Sequence, residues 1–451
     1  MARIPSSSVQ TSTQKPPLVP HNILWPFILL TSLFAWWGVA NNMTDTLLAA
    51  FKRIMSMSDA KTALIQVVCY GAGYGLLAIP AAVYIKKFSY KSGVLLGLAL
   101  YSAGCILFYP AMMTANYYCY LTAIWILFGG LSILETAANP YIIAMGPDET
   151  GTRRLNLAQS FNPIGSIVGI VVSQLFILSH LNKASAEERA AMTAEQLETI
   201  QAGELNAVTI TYVTVGLILI ATWILIAVNK KMPRTGEAGG PLNLKPTFKR
   251  LIRNRHYMWG VVAQFFYVGA QIGVWSFTIR YTMQELGLEQ AVLPQGKTPE
   301  QAAATYYMAS LIVFTISRFI CTGMMRFMTP ANLLTLLSSI AIALTLTVIY
   351  VGGRIGVYAL VGISGCMSLM FPTIFGLACR GLGEDTKFGG SGLIMAILGG
   401  AVITQIQGMV SDSFKSINLS YWLPLICFIV ITYYGAVACR RDLPVAGAKY
   451  Q

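Results

Sequence analysis

Two carboxyl side chains sit where carboxyls are costly. Glu135 lies near the middle of 118–145, a stretch otherwise almost free of charge and long enough to cross a bilayer core of ~30 Å as a helix. Asp45 falls toward the far end of the first apolar run. Burying a charged acid at such depth costs on the order of 2.5–3.5 kcal/mol, so these residues face cavities and carry function. A dry setting favours the neutral carboxyl. Glu135 and Asp45 are therefore expected to gain and lose a proton as water reaches them, which suits proton coupling.

The residues near these acids point to a ligand. In AWWGVANNMTD (35–45), Trp37 is two helical turns from Asp45 and on roughly the same face. Asn41, Asn42 and Thr44 precede the acid, and such groups are not tolerated facing lipid. In ETAANP (135–140), Glu135 and Asn139 stack on one face, and Pro140 removes a backbone donor. In RLNLAQSFN (154–162), Gln159 and Asn162 share a face. In QFFYVGAQIGVWSFTIRY (264–281), Gln264, Tyr267, Gln271 and Trp275 form a helical stripe.

Amides in membrane helices also bind neighbouring helices, and aromatic stripes also form interfacial belts. Together on one face they are what a sugar requires: amides for its hydroxyls, rings for its C–H surface. The expected ligand contacts are Trp37, Asn42, Glu135, Asn139, Gln159, Asn162, Gln264, Tyr267, Gln271 and Trp275. Two arginines remain inside apolar runs. Arg318 is expected to brace an inner gate near the cytoplasmic end of its helix, and Arg280 to snorkel to the outer interface.

The elements that hold these residues follow from composition. The 451 residues are 55% hydrophobic and only 11% charged, with mean hydropathy +0.61. Soluble domains carry about 25% charged residues, so this chain's natural solvent is lipid. Apolar runs fall near 24–50, 62–85, 92–113, 118–145, 155–180, 207–229, 257–284, 303–326, 332–351, 355–380, 388–411 and 420–439. The expectation is an all-α integral membrane protein of about twelve transmembrane helices. The first run is too long for a cleavable leader and reads as a retained helix.

Lys and Arg gather in alternate loops, at Lys86, Lys87, Lys91, Arg153, Arg154 and along 230–255. That places both termini in the cytoplasm and accounts for the net charge of +13 without nucleic acid. The expected organisation is a tail (1–22), a six-helix bundle (23–229), a Gly/Pro-rich basic linker (230–255), a second bundle (256–441) and a tail (442–451). The acidic external stretch 182–205 reads as a short surface helix.

The halves echo each other. Asn139-Pro140 leads to GPDETGTRRLNLAQSFNPIGSIVG, and Phe371-Pro372 leads to GLGEDTKFGGSGLIMAILGG. IKKFSYKSG (85–93) is answered by MRFMTPANL (325–333). Duplication of a six-helix unit puts a site where the halves meet. The eight cysteines form no CxxC pair or Cys/His cluster, the three histidines lie at span edges or outside, and no GxxxxGK[ST] occurs. Metal sites, cofactors, enzymatic chemistry and ATP-driven pumping are not expected.

From Ile23 to Leu443 the chain resembles the fucose/galactose/glucose–proton symporter family of the major facilitator superfamily. The three stretches above carry the likeness, with FPTIFGL (371–377) and GEDTKFG (383–389). The resemblance implies a monomer in the bacterial inner membrane, with two pseudo-symmetric six-helix bundles around a cavity that opens alternately to each side. Fucose members carry the first-helix acid and the fourth-helix Glu matched by Asp45 and Glu135. Glucose and galactose relatives commonly have an apolar residue at the latter, so L-fucose with a co-transported proton is favoured. An uncoupled sugar facilitator, or a symporter for galactose, glucose or arabinose, is the alternative.

Overall fold

The computed structural model describes residues 17–55, 65, 67–182, 188–189, 191–233, 244–288 and 299–441. The termini, parts of the linker and of other loops, and the Asp45 side chain lie outside the described residues. The regular structure among those residues is all helical, and eleven helices among them are long and apolar enough to cross a membrane. The spans are α1 Leu24–Ile54, α3 Tyr90–Thr114, α4 Tyr117–Ala144, α5 Asp148–His180 and α6 Ala194–Val228. The second half supplies α7 Arg255–Glu285, α8 Pro299–Met324, α9 Pro330–Tyr350, α10 Gly353–Ala378, α11 Gly383–Phe414 and α12 Ile417–Ala438. The helix expected between α1 and α3 lies partly outside the described residues. Its visible portion is a π-helical stretch, Val67–Gly75, continued by Leu76–Lys87 and called α2 here. A short linker helix, Leu244–Arg253, joins the halves.

Polar punctuation in the sequence sets where these helices start. Ser89, Asn116, Thr193, Asn254 and Thr329 each accept a hydrogen bond from a first-turn N–H of the helix they precede, satisfying donors the helix itself cannot. Basic side chains close other ends. Lys91 donates to the carbonyls of Ala227, in the last turn of α6, and of its C-cap Asn229. Arg154, expected as a solvated loop charge, is fully buried. Its guanidinium donates to Ile142 O at 2.8 Å and to Ile143 O at the end of α4. The acidic stretch 182–205 also differs from expectation: from Ala194 it is the start of α6 itself, and buried Glu204 pairs with Arg189. A carboxylate placed inside the bundle needs a cation beside it, and Arg189 supplies one.

The sequence echo corresponds to repeated packing. In each half the first helix packs on the fifth and the third on the fourth and sixth. Gly165 on α5 meets α1 so closely that a Cβ would stand 1.9 Å from Ala35 O. At Gly399 on α11, a Cβ would stand 2.0 Å from Phe265 O on α7. Only glycine allows backbone approach this close in both places.

The halves touch through α2 against α11 and through α5 against α8 and α10. Asn156 Nδ2 donates to Thr373 Oγ1 across that seam at 3.1 Å. Phe161 and Phe319 meet edge to face with centroids 6.0 Å apart. Lys86 at the end of α2 donates to Thr247 of the linker helix at 2.8 Å.

Gly165→Val or Gly399→Val is expected to separate a helix pair and destabilise the protein by about 1–3 kcal/mol or more. A Cβ at Gly203 on α6 meets nothing within 4 Å, so Gly203→Ala should be neutral or stabilising. Thermal melts of the purified protein in detergent check both.

Candidate functional site

Glu135 projects from the middle of α4 and is 2% exposed. Beside it lies a cavity of about 10 Å³ lined by Leu33, Phe34, Trp37, Leu131, Leu134, Glu135 and Ala138, room for about one water. Neither carboxyl oxygen has a hydrogen-bond partner of normal geometry among the described residues. The Tyr74 hydroxyl, from the π-helical start of α2, is the polar group set against it. Trp37 Nε1 is likewise buried without a partner. The expected pairing of Trp37 with an acid is therefore present, but with Glu135; the Asp45 side chain lies outside the described residues.

A connected set of polar groups leads from Glu135 to the other half. Asn139 Nδ2 donates to Glu135 O at 3.1 Å. Gln159 Nε2 donates to Asn139 Oδ1 at 2.7 Å. Within α5 the helix interrupts at 160–161, between Asp148–Gln159 and Asn162–Val172. The Gln159 carbonyl at that break accepts from Arg318 Nη1 at 3.0 Å.

Arg318 comes from α8 and is 4% exposed. Its Nε donates to Ser368 O, at the break in α10 between Gly353–Met367 and Met370–Ala378. The adjacent Met367 carbonyl accepts from the Tyr267 hydroxyl at 3.2 Å, and Phe314 lies under the guanidinium at 4.8 Å. Arg318 thus satisfies carbonyls freed by one helix break in each half.

The remaining expected residues divide. Asn162 donates to Phe34 O at 3.3 Å, tying α5 to α1 behind the Glu135 cavity. Asn42 turns back on Gly38 O of its own helix at 3.1 Å. Trp275 Nε1 donates to Ser364 Oγ at 3.1 Å and its ring packs edge to face on Phe314. Gln264 is fully buried, and neither its amide oxygen nor its nitrogen has a partner among the described residues. Gln271 is half-buried on the same helix.

Trp37, Glu135, Asn139, Gln159 and Asn162 are thus brought together, and Tyr267 joins them through Arg318. Trp275 stands at the α10 side, Asn42 bonds within its own helix, and Gln264 and Gln271 lie on α7. Sequence reasoning passed over Tyr74, Ser364, Ser368 and the Asn156–Thr373 pair. Tyr74, in the Gly-rich CYGAGYG stretch, had a signal, a phenol between glycines inside a span; so did the breaks, since Pro163 and Pro372 lack the N–H that the Gln159 and Ser368 carbonyls would meet four residues on. Arg280 is exposed near the end of α7. It lines a cavity of about 620 Å³ with Gln284, Asp412 and Lys415, among others.

Two repeated helical halves meeting at a polar seam, with a buried acid beside it, define a membrane carrier of the major facilitator type. Residues 27–404 match the family model described as Major Facilitator Superfamily, and the chain belongs to that family; it is a multi-span membrane transporter. The L-fucose-proton symporter of Haemophilus influenzae is 40% identical, over 91% of this chain and 95% of the relative. The L-fucose-proton symporter of Escherichia coli is 38% identical, over 91% and 92%. The glucose/galactose transporter of Brucella abortus is 32% identical, over 96% and 97%. The crystal structure of FucP, a Major Facilitator Superfamily transporter, in the outward conformation superposes with a TM-score of 0.85 at 37% identity, covering 92% of this chain and 99% of that one. The resemblance read from the motifs and the twelve-helix, all-α fold class are both borne out.

Arg318→Lys replaces a fork that reaches two carbonyls by a single ammonium. Losing one charge-assisted hydrogen bond, about 1.5–3 kcal/mol, should raise opening of the seam on the order of 10–100-fold. Faster thiol labelling of Cys379, buried at the α10 end, in a protein with the other cysteines removed would show it. Unchanged labelling would reduce Arg318 to a packing residue.

Proposed function

We propose that this protein carries a monosaccharide, L-fucose in preference to others, into a bacterial cell together with a proton, by alternating access. The observation that carries the reading is Glu135: a buried carboxyl without an ionic partner among the described residues, sharing a water-sized cavity with Trp37, on a residue whose backbone carbonyl is joined through Asn139 and Gln159 to the seam between the halves. An ionised carboxylate there would lack a compensating charge, which costs several kcal/mol. The closed geometry therefore suits the protonated acid, and wetting of the cavity suits its release of the proton.

The mechanism follows from that difference. With Glu135 neutral, the seam can close over the site and the loaded carrier can reorient. With Glu135 charged, the site stays open to water. Asp45, toward the external end of α1, is assigned to relaying the proton inward. Trp37, Asn42, Asn139, Gln159, Asn162, Gln264, Tyr267, Gln271 and Trp275 are assigned to the sugar's hydroxyls and C–H faces. Gln264, buried with both amide ends unpartnered, has hydrogen bonds to offer a ligand. Since Glu135 has room only for about one water, its contact with sugar belongs to a more open state.

The bundles 23–229 and 256–441 are taken as the two moving bodies, joined by the linker 230–255 and flanked by the tails 1–22 and 442–451. The protein is read as a monomer of the inner membrane with both termini cytoplasmic and no cofactor beyond the co-transported proton. The seam contacts and the linker helix then mark the cytoplasmic side as closed, and the 620 Å³ cavity lies at the external mouth. L-fucose is favoured because the relatives at 38–40% identity bear that name. The Brucella relative supports glucose or galactose as the second reading.

Adding L-fucose to a weakly buffered suspension of cells expressing the protein should make the medium more alkaline. Glu135→Gln and Asp45→Asn should each abolish this and abolish accumulation, while sugar exchange persists in Glu135→Gln. Labelled fucose entering without a pH change would mean an uncoupled facilitator. Neither signal with fucose, but both with galactose or glucose, would move the substrate and keep the coupling.

A further inference from the structure

The linker helix has two faces of different character. Thr247 and Leu251, four residues apart, are buried against the protein. Thr247 Oγ1 accepts from Lys86 of α2 at 2.8 Å. From the same side Arg250 reaches Asp385, at the start of α11, at 2.7 and 2.8 Å. On the other side Phe248 and Ile252, also four apart, are 54% and 50% exposed. Lys245, Lys249 and Arg253 flank them and are exposed.

Large exposed apolar side chains are ordinary on a membrane span. These two lie outside the spans, on a ten-residue helix with basic residues around them. A face of this composition lies in the bilayer interface, its apolar side chains among acyl chains and its basic ones among anionic headgroups. The position agrees. Asn254 caps α7 directly after the linker helix, and Trp259, in the next turn of α7, stacks edge to face on Tyr433 of α12 at 5.1 Å. Both rings are partly exposed, as in the aromatic belt at headgroup level.

We propose that the Phe248/Ile252 face of the linker helix is a binding site for anionic phospholipid, and that through Thr247 and Arg250 the bound lipid steadies the paired ends of α2 and α11. Its cytoplasmic placement rests on the orientation proposed above; the lipid preference does not. The occupant is lipid rather than a soluble acidic protein because the helix runs directly into α7, whose second turn carries the aromatic level.

The test uses the full-length protein in vesicles of phosphatidylcholine alone or mixed with phosphatidylglycerol, so that both leaflets carry the same lipid and orientation does not matter. A nitroxide attached at Phe248→Cys, with the native cysteines replaced, reports contact with headgroup-labelled lipid, independently of sugar or proton. Phosphatidylglycerol should be preferred over phosphatidylcholine. Each of Lys245→Gln, Lys249→Gln and Arg253→Gln should weaken the preference ~5-fold, and salt should weaken it too. Arg250 is left intact, so the tie to Asp385 remains.

Sugar counterflow, which needs no proton gradient, should respond to phosphatidylglycerol in the parent protein and not in the triple variant. Equal contact with both lipids, no contact with either, or a preference that survives the triple substitution would overturn the site. A lipid preference with counterflow indifferent to it would overturn the steadying role. Failure of pH coupling with the lipid preference intact would count against the symport reading alone.

Discussion

A helix that breaks inside a membrane exposes carbonyl groups to a solvent that offers no hydrogen bonds, and each one left unsatisfied costs several kcal/mol. This chain breaks α5 after Gln159 and α10 after Met367, one in each half, and places Arg318 between them. The guanidinium has donors in a fixed fork and holds its charge when buried, so it can satisfy both breaks at once. Two consequences follow. The breaks persist as structural features, and the halves are fastened where they are weakest. A carrier needs a seam that closes firmly yet opens, and hydrogen bonds between opposed helix ends meet that need better than interdigitated apolar packing, which is slow to separate and re-form.

The same economy governs the acid. Glu204 and Glu135 are both buried to 2% exposure, yet Glu204 faces Arg189 while Glu135 faces apolar side chains and the Tyr74 phenol. An acid with a cation beside it is settled in one charge state. An acid without one depends on water for its charge, and so on whether the seam beside it is open. Asn139 and Gln159 link the backbone at Glu135 to the carbonyl that Arg318 holds. Hydration at the acid and fastening of the seam are therefore set close together, the carboxyl one side chain away from a hydrogen-bonded set that starts at its own backbone carbonyl, and that proximity is the proposed basis for coupling a proton to a change in access.

The fold was largely legible because lipid restricts the alternatives. Runs of some twenty apolar residues have to become helices, and Ser, Thr and Asn ahead of α3, α4, α6, α7 and α9 mark where they start. The echo of Pro140…Gly165 in Pro372…Gly399 proved to be one packing solution used twice, each glycine set against the first helix of its half. Where the reading went astray, polarity misled it. The acidic stretch after Asn182 was taken as a separate surface helix, but from Ala194 it continues into α6. The sequence places Arg154 with the loop cations, yet its side chain turns inward because the α4 carbonyls need donors.

By itself the sequence determined the spans, their repeat, and the presence of an acid too deep in lipid to be ornamental, since hydrophobicity and residue spacing act locally along the chain. Helical spacing also put Glu135 with Asn139 and Gln159 with Asn162. The tertiary structure alone decided that Trp37 shares its cavity with Glu135, that Asn42 bends back to its own helix, and that Gln264 is buried with no partner among the described residues. It also decided that Arg318 spans two helix breaks separated by some two hundred residues of chain. Those facts depend on how helices distant in sequence rotate and break against each other. No periodicity along one helix encodes which way its neighbour turns.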